Sequence, residues 1–242
     1  MKQIRSICKA VPIVLLLLSS LLPVSAREPS PTGAESGAVD RGRLVFVGES
    51  TTAHLRARGV LPGGTATDQV LAPRSGTMTL DRRILSARVV EPRSGEELPL
   101  VEAVARRRPE ILVLSFGLNG ILGFLARPAD YTEPYRALIR AVHEVSPGTA
   151  VVLQTVYPVA ERPAEWKFDR SPAAINAGIA ELNRLLPQIA AEGALVADTA
   201  AVLRDENGFL RAGYTTDGIH LDRDGYEAVL SALDSALAGA GL

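Results

Sequence analysis

The sequence predicts an α/β fold, a central parallel sheet covered by helices on both faces. Three observations point to it. Several short runs are apolar at nearly every position, as strands buried on both faces must be. Between them lie longer stretches whose apolar residues recur every three or four positions, the mark of amphipathic helices. The two kinds of segment alternate, which favours parallel strands joined by right-handed crossovers.

In chain order, Arg43 to Val47 reads as the first strand and Thr51 to Arg58 as the helix after it. Thr77 to Leu80 and Ala87 to Val90 are weaker strand candidates in a polar region. Glu97 to Arg107 carries Leu98, Val101 and Val104 at helical spacing, and Pro109 closes it. Glu110 to Phe116 is a continuous apolar strand. Tyr131 to Val145 aligns Tyr135, Leu138, Val142 and Val145 on one helical stripe, and Ala150 to Thr155 follows as a strand. Pro172 to Glu192 is a long helix with a kink expected at Pro187. Ala194 to Ala197 is the last strand and Arg223 to Ala238 the closing helix.

Composition sets outer limits. The 242 residues are 47% hydrophobic and 22% charged, which suits one globular domain with a core of ordinary size. Twenty-six basic against 27 acidic side chains leave a net charge of -1, with no basic excess to suggest nucleic acid as a partner. Lys2, Arg5 and Lys9 precede an apolar run from Val11 to Val24, and Val24-Ser25-Ala26 is a small-residue cleavage pattern. Residues 1–26 are therefore expected to be a secretory signal. The rival is an uncleaved anchor, although the run is short for a span of roughly 20 residues. Cleavage would remove those three positive side chains and the sole cysteine, Cys8, leaving a mature chain of net charge -4 with no disulfide. Residues 27–42, rich in Pro, Gly, Ser and charge, read as a flexible spacer, and 43–242 as the domain. The expected location is outside the cytoplasm, secreted or in the cell envelope, with no stable membrane insertion after cleavage.

In such a sheet ligands bind beyond the carboxyl ends of the strands. The first strand runs into Gly48-Glu49-Ser50. The strand at 110–116 runs into Gly117-Leu118-Asn119-Gly120, and Asp217-Gly218-Ile219-His220 precedes the closing helix. A serine, an asparagine, an aspartate and a histidine are thus gathered on one rim. Asp217 and His220, three residues apart on one turn, can point the same way. A carboxylate beside an imidazole fixes its tautomer, and the imidazole can then take the proton of a serine hydroxyl. Such chemistry also needs donors for an oxyanion. The Ser50 N–H and the Asn119 side-chain amide are candidates, with a glycine N–H from the 60–80 loop as a third.

The segments GES at 48–50, GLNG at 117–120 and DGIH at 217–220 resemble, in order and position, three sequence blocks of the SGNH hydrolases, the GDSL-type esterases and lipases. The resemblance extends from about Arg43 to the carboxyl terminus. It implies a three-layer α/β/α sandwich with a flavodoxin-like parallel sheet of about five strands, and a serine hydrolase that needs neither cofactor nor metal. It implies Ser50 as nucleophile, His220 as base, Asp217 as its orienter and Asn119 as an oxyanion donor. The family's single-glycine block is assigned to Gly76 in PRSGTMTL, with Gly63 and Gly64 as alternatives. Two positions depart from the pattern: Glu49 stands where Asp is usual, and Gly120 where GxND has Asp.

Plainer roles compete with these. Ser50 could be only a helix cap and Asn119 only a turn residue. His54, one turn beyond Ser50, could line the pocket. His143 reads as a surface residue, and Asp198, after the last strand, is the rival carboxylate. The expected activity is hydrolysis of a small acyl ester, free or glycan-linked, such as an O-acetyl group. A non-catalytic glycan- or peptide-binding domain, suggested by Gly120, and an acyltransferase using the same triad are the alternatives.

Overall fold

The computed structural model describes residues 39–242. The expected signal segment and most of the spacer lie outside the described residues. The folded unit is already formed ahead of the first strand. The Asp40 side chain accepts from the Gly42 N–H and starts a 3-10 turn over Arg41–Arg43. Arg41 then pairs with Asp234 at 2.8 Å and with Glu227 at 3.3 Å.

Seven strands and six helices follow: β1 (Leu44–Gly48), α1 (Ser50–Ala57), β2 (Val70–Leu71), β3 (Arg88–Val90), β4 (Glu97–Pro99), α2 (Leu100–Arg107), β5 (Ile111–Ser115), α3 (Ile121–Ala126), α4 (Ala129–Val145), β6 (Ala150–Gln154), α5 (Pro172–Ala190), β7 (Ala194–Ala197) and α6 (Arg223–Gly239). The main sheet is parallel throughout, in the order β2-β1-β5-β6-β7. The predicted three-layer sandwich with five parallel strands is therefore the observed architecture.

Alternation along the strands divides the core. Val45, Val47, Leu112, Leu114, Val151 and Leu153 face α2, α3, α4 and α5. Leu44, Phe46, Ile111, Val113 and Val152 face α1 and α6. Both faces of β1 and β5 are buried, which is why those segments read as unbroken apolar runs.

Two local expectations are corrected, and two short elements were not foreseen. Thr77 to Leu80 forms no strand: it pairs with no neighbouring strand, and its Met78 carbonyl accepts instead from a side chain. The helix expected from Glu97 begins only at Leu100, because Glu97–Pro99 pairs antiparallel with Arg88–Val90. Pro99 is extended (ψ 140°), which places it before the helix rather than in its first turn. The six-residue α3 was not predicted, being too short to show a period, and β2 has only two residues. α5 runs unbroken through Pro187.

Chain order reverses across the sheet between β1 and β5, and this is the switch point where ligands bind in sheets of this order. Gly48 at the end of β1 lies opposite Ser115 of β5. A Cβ at Gly48 would overlap the Ser115 carbonyl and the Thr52 hydroxyl, so only glycine lets the chain turn here into α1.

Candidate active site

Ser50 is the first residue of α1, delivered to the rim by β1. As a first-turn residue, its N–H has no carbonyl within its own helix to bond. Its Oγ lies 2.8 Å from His220 Nε2, and His220 Nδ1 lies 2.7 Å from Asp217 Oδ2. These bonds define the proton positions. An ionised carboxylate can only accept, so Nδ1 carries the imidazole proton, and Nε2 is left to accept from the serine hydroxyl.

The Asp217 turn is built to hold this geometry. Its other oxygen, Oδ1, accepts from the Ile219 and His220 N–H groups at 2.8 and 2.7 Å. The Thr215 hydroxyl donates to the His220 carbonyl at 2.6 Å and accepts from Gly218 N–H at 2.9 Å. Partial burial disfavours the ionised Asp217, but bonds from the His220 ring and the two N–H groups outweigh it and hold the carboxyl at about 2. The two ends of the chain are tied together beside it. Tyr226 of α6 donates its buried hydroxyl to the Thr51 carbonyl at 2.6 Å, and Arg58 reaches the Leu221 carbonyl at 3.3 Å.

The second half of the site is organised by Glu49. Its side chain is buried, and its carboxylate accepts from Gly117 N–H at 2.6 Å and Asn119 N–H at 3.1 Å. Burial pushes this carboxyl up to about 7, against the pull of N–H groups from Gly117, Asn119 and Leu118. Glu49 thus fastens the loop after β5 to the residue beside Ser50. The Asn119 amide donates to Thr77 Oγ1 at 2.9 Å and to the Met78 carbonyl at 3.1 Å. Gly76, just before Thr77, uses its N–H in a turn to the Pro73 carbonyl at 2.9 Å. Ser50, His220 and Asp217 are therefore joined in one chain of bonds. Asn119 meets them through Glu49, and Gly76 through Thr77.

Gly120 has a backbone reason to be glycine. Its φ is +91°, and a Cβ there would lie 3.0 Å from the Phe124 ring. Beyond it opens a cleft of about 770 Å³, walled by Thr79 to Arg83 on one side and by Gly120, Phe124 and Arg127 on the other. None of Ser50, Asp217, His220 and Asn119 lines it; Asn119 precedes Gly120 and is bonded to Thr77 and Met78.

The competing residues are elsewhere or differently employed. Asp198 accepts from Thr155 Oγ1 at 3.0 Å at the end of the sheet. His143 bonds the Gly193 carbonyl on the surface. His54 does reach the site, with its ring centroid 4.3 Å from that of His220. The clamp by Glu49 and the Thr215 brace left no sequence signal beyond their neighbours, because both act on backbone groups. Among the described residues no group of three His, Cys, Asp or Glu side chains could hold a metal ion, and no helix is long and apolar enough to cross a membrane.

The sequence model of the GDSL-like lipase/acylhydrolase family matches residues 46–228. No curated protein matches the chain in sequence. Among solved structures it is similar to a platelet activating factor candidate from Streptococcus pneumonia, with a TM-score of 0.57 and 20% identity over 81% of this chain and 83% of that one. An SGNH hydrolase candidate from Slackia heliotrinireducens gives 0.56 and 21% identity, over 80% and 97%. A carbohydrate esterase family 3 protein from Talaromyces cellulolyticus gives 0.52 and 14%, over 81% and 96%. At these identities the likeness is one of fold.

Proposed function

Because the chain belongs to the GDSL-like lipase/acylhydrolase family, we propose that it is an exported serine esterase that removes small acyl groups, O-acetyl above all, from a glycan-linked alcohol. The observation that carries the reading is the unbroken chain from Ser50 Oγ through His220 to Asp217, at 2.8 and 2.7 Å.

Ser50 Oγ attacks the ester carbonyl as His220 Nε2 takes its proton, and Asp217 stabilises the imidazolium that results. The oxyanion forms beside the Ser50 N–H and the Asn119 amide, and Gly76 adds a third donor on exchanging its bond to Pro73. His220 returns the proton to the departing alcohol, leaving an acyl-serine. Water, deprotonated by the same Nε2, then cleaves the acyl-serine to the free acid and restores Ser50. Each half-reaction is balanced by one proton on His220.

The expected location outside the cytoplasm supports a glycan-linked alcohol as the leaving group. The amino-terminal pattern of charge, apolar run and small residues supports export. The positive φ of Gly120, +91°, gives its departure from the family pattern a backbone cause, which supports the catalytic reading over the binding-only one. The test is turnover of p-nitrophenyl esters of increasing acyl length by residues 27–242, with Ser50→Ala alongside. Acetyl and butyryl esters are expected to turn over in the wild type alone. Equal rates in both proteins would remove Ser50 as the nucleophile.

A further inference from the structure

His54 has no part in the proton relay, yet it occupies the position closest to it. It lies one helical turn beyond Ser50 on α1, so its side chain rises on the same face as the nucleophile. Its ring packs over the His220 ring with centroids 4.3 Å apart and planes inclined by 35°. Its Nδ1 is buried and has no hydrogen-bond partner among the described residues. A polar residue held this way contributes the face of its ring, not its donors.

His220 needs such a face. Its backbone is braced by Thr215 and its Nδ1 by Asp217, but beyond the hydrogen bonds of its two nitrogens only packing can stop the ring from rolling about its Cβ–Cγ bond. A roll would swing the Nε2 lone pair off the Ser50 hydroxyl. We propose that His54 is a positioning residue for the relay, its ring forming the wall that keeps the His220 imidazole in the plane shared by Ser50 and Asp217. The proposal rests on His220 being the base.

The wall must also be uncharged, since His220 becomes a cation in each half-reaction. The charged and titratable groups that act on His54 are His220, Arg58 and Asp217. Burial lowers its pKa, the charges of His220 and Arg58 lower it further, and Asp217 opposes them. Burial and these charges together favour the neutral ring.

The experiment compares the wild type, His54→Ala and His54→Phe in two readouts. The first is steady-state turnover of p-nitrophenyl acetate. His54→Ala is expected to lose about tenfold or more in kcat with KM within about twofold, as for a misaligned catalytic group. His54→Phe, which restores a flat uncharged ring, is expected to recover to within about threefold of the wild type. The second readout is the low-field proton resonance of His220 Nδ1–H, which does not require turnover. It is expected to be sharp in the wild type and in His54→Phe, and broadened by exchange in His54→Ala. Wild-type kcat and a sharp resonance in His54→Ala would overturn the proposal. So would a His54→Phe protein as impaired as His54→Ala, because the ring face would then not be what matters. A wild type without esterase activity would defeat the functional reading alone, and the resonance would still decide the role of His54.

Discussion

Two carboxylates flank Ser50, and they are opposites. Asp217 is partly exposed, paired with an imidazole and held at about 2. Glu49 is buried, faces only backbone N–H groups and is pushed up to about 7. Asp217 belongs to the half that the proposed function assigns to proton transfer, each polar atom already bonded to the partner it would use. Glu49 belongs to a half whose candidate oxyanion donors are occupied by the protein itself: Asn119 by Thr77 and Met78, Gly76 by Pro73. The Ser50–His220–Asp217 chain is therefore preformed, whereas Asn119 and Gly76 would have to share or exchange bonds to receive a developing charge.

The largest expected effect falls on the preformed half. Ser50→Ala should lower kcat/KM on short esters on the order of ten-thousand-fold, with unchanged thermal unfolding. Asn119→Ala tests the other half. If its amide is recruited to the oxyanion, kcat should fall by roughly a hundred- to a thousandfold with little change in KM. A loss confined to KM would mean that Asn119 holds only the ground-state substrate or the loop.

The carboxylates themselves predict opposite responses of stability to pH. Glu49 has a folded pKa raised from 4.5 to about 7, so its contribution is fully present below about pH 4.5 and is lost as pH rises through 7. Asp217 is depressed from 3.8 to about 2, so its contribution is present above 3.8 and is lost as pH falls through 2. Unfolding of Glu49→Gln and wild type, followed from pH 4 to 8, should show the variant gaining on the wild type by up to a few kcal/mol as Glu49 ionises. A difference that does not change with pH would show that Glu49 is not the group being ionised against its burial.

The same division explains what could be read from the sequence. Ser50, Asp217 and His220 could be picked out because each lies just past a strand or just before a helix, and the structure brings the three side chains into one chain of hydrogen bonds. The five-strand sheet was legible for a similar reason, since burial on both faces of β1, β5 and β6 leaves unbroken apolar runs. Glu49 acts on the N–H groups of 117–119, which every residue type except proline supplies, and such a partner leaves no trace in residue identity. The contact of Asn119 with Thr77 spans 42 residues and joins two loops that have no periodicity. β2, with two residues, and β4, ending in Pro99 at the start of α2, are too short for alternation to show. His54 could be placed near the pocket from its spacing, but its stacking on His220 depends on how the last turn before α6 folds back over α1.

The smallest expected effect bears most directly on the anion-binding half. Thr77 Oγ1 accepts one hydrogen of the Asn119 amide and the Met78 carbonyl accepts from the same nitrogen. These contacts can either compete with an oxyanion or aim the amide at it. The amide lies on a loop whose backbone is already fixed by Glu49, so its remaining freedom is rotation of the side chain, and two acceptors suffice to stop that rotation. An N–H can share itself between a hydroxyl and a developing anion at little cost, because the anion is the stronger acceptor. Orientation should therefore outweigh competition. Thr77→Val, which keeps the shape and removes the acceptor, is expected to lower kcat about threefold and leave KM unchanged. A rise in kcat would reverse that conclusion: the hydroxyl would then be holding the amide away from the oxyanion, and the anion-binding half would be restrained by its own loop.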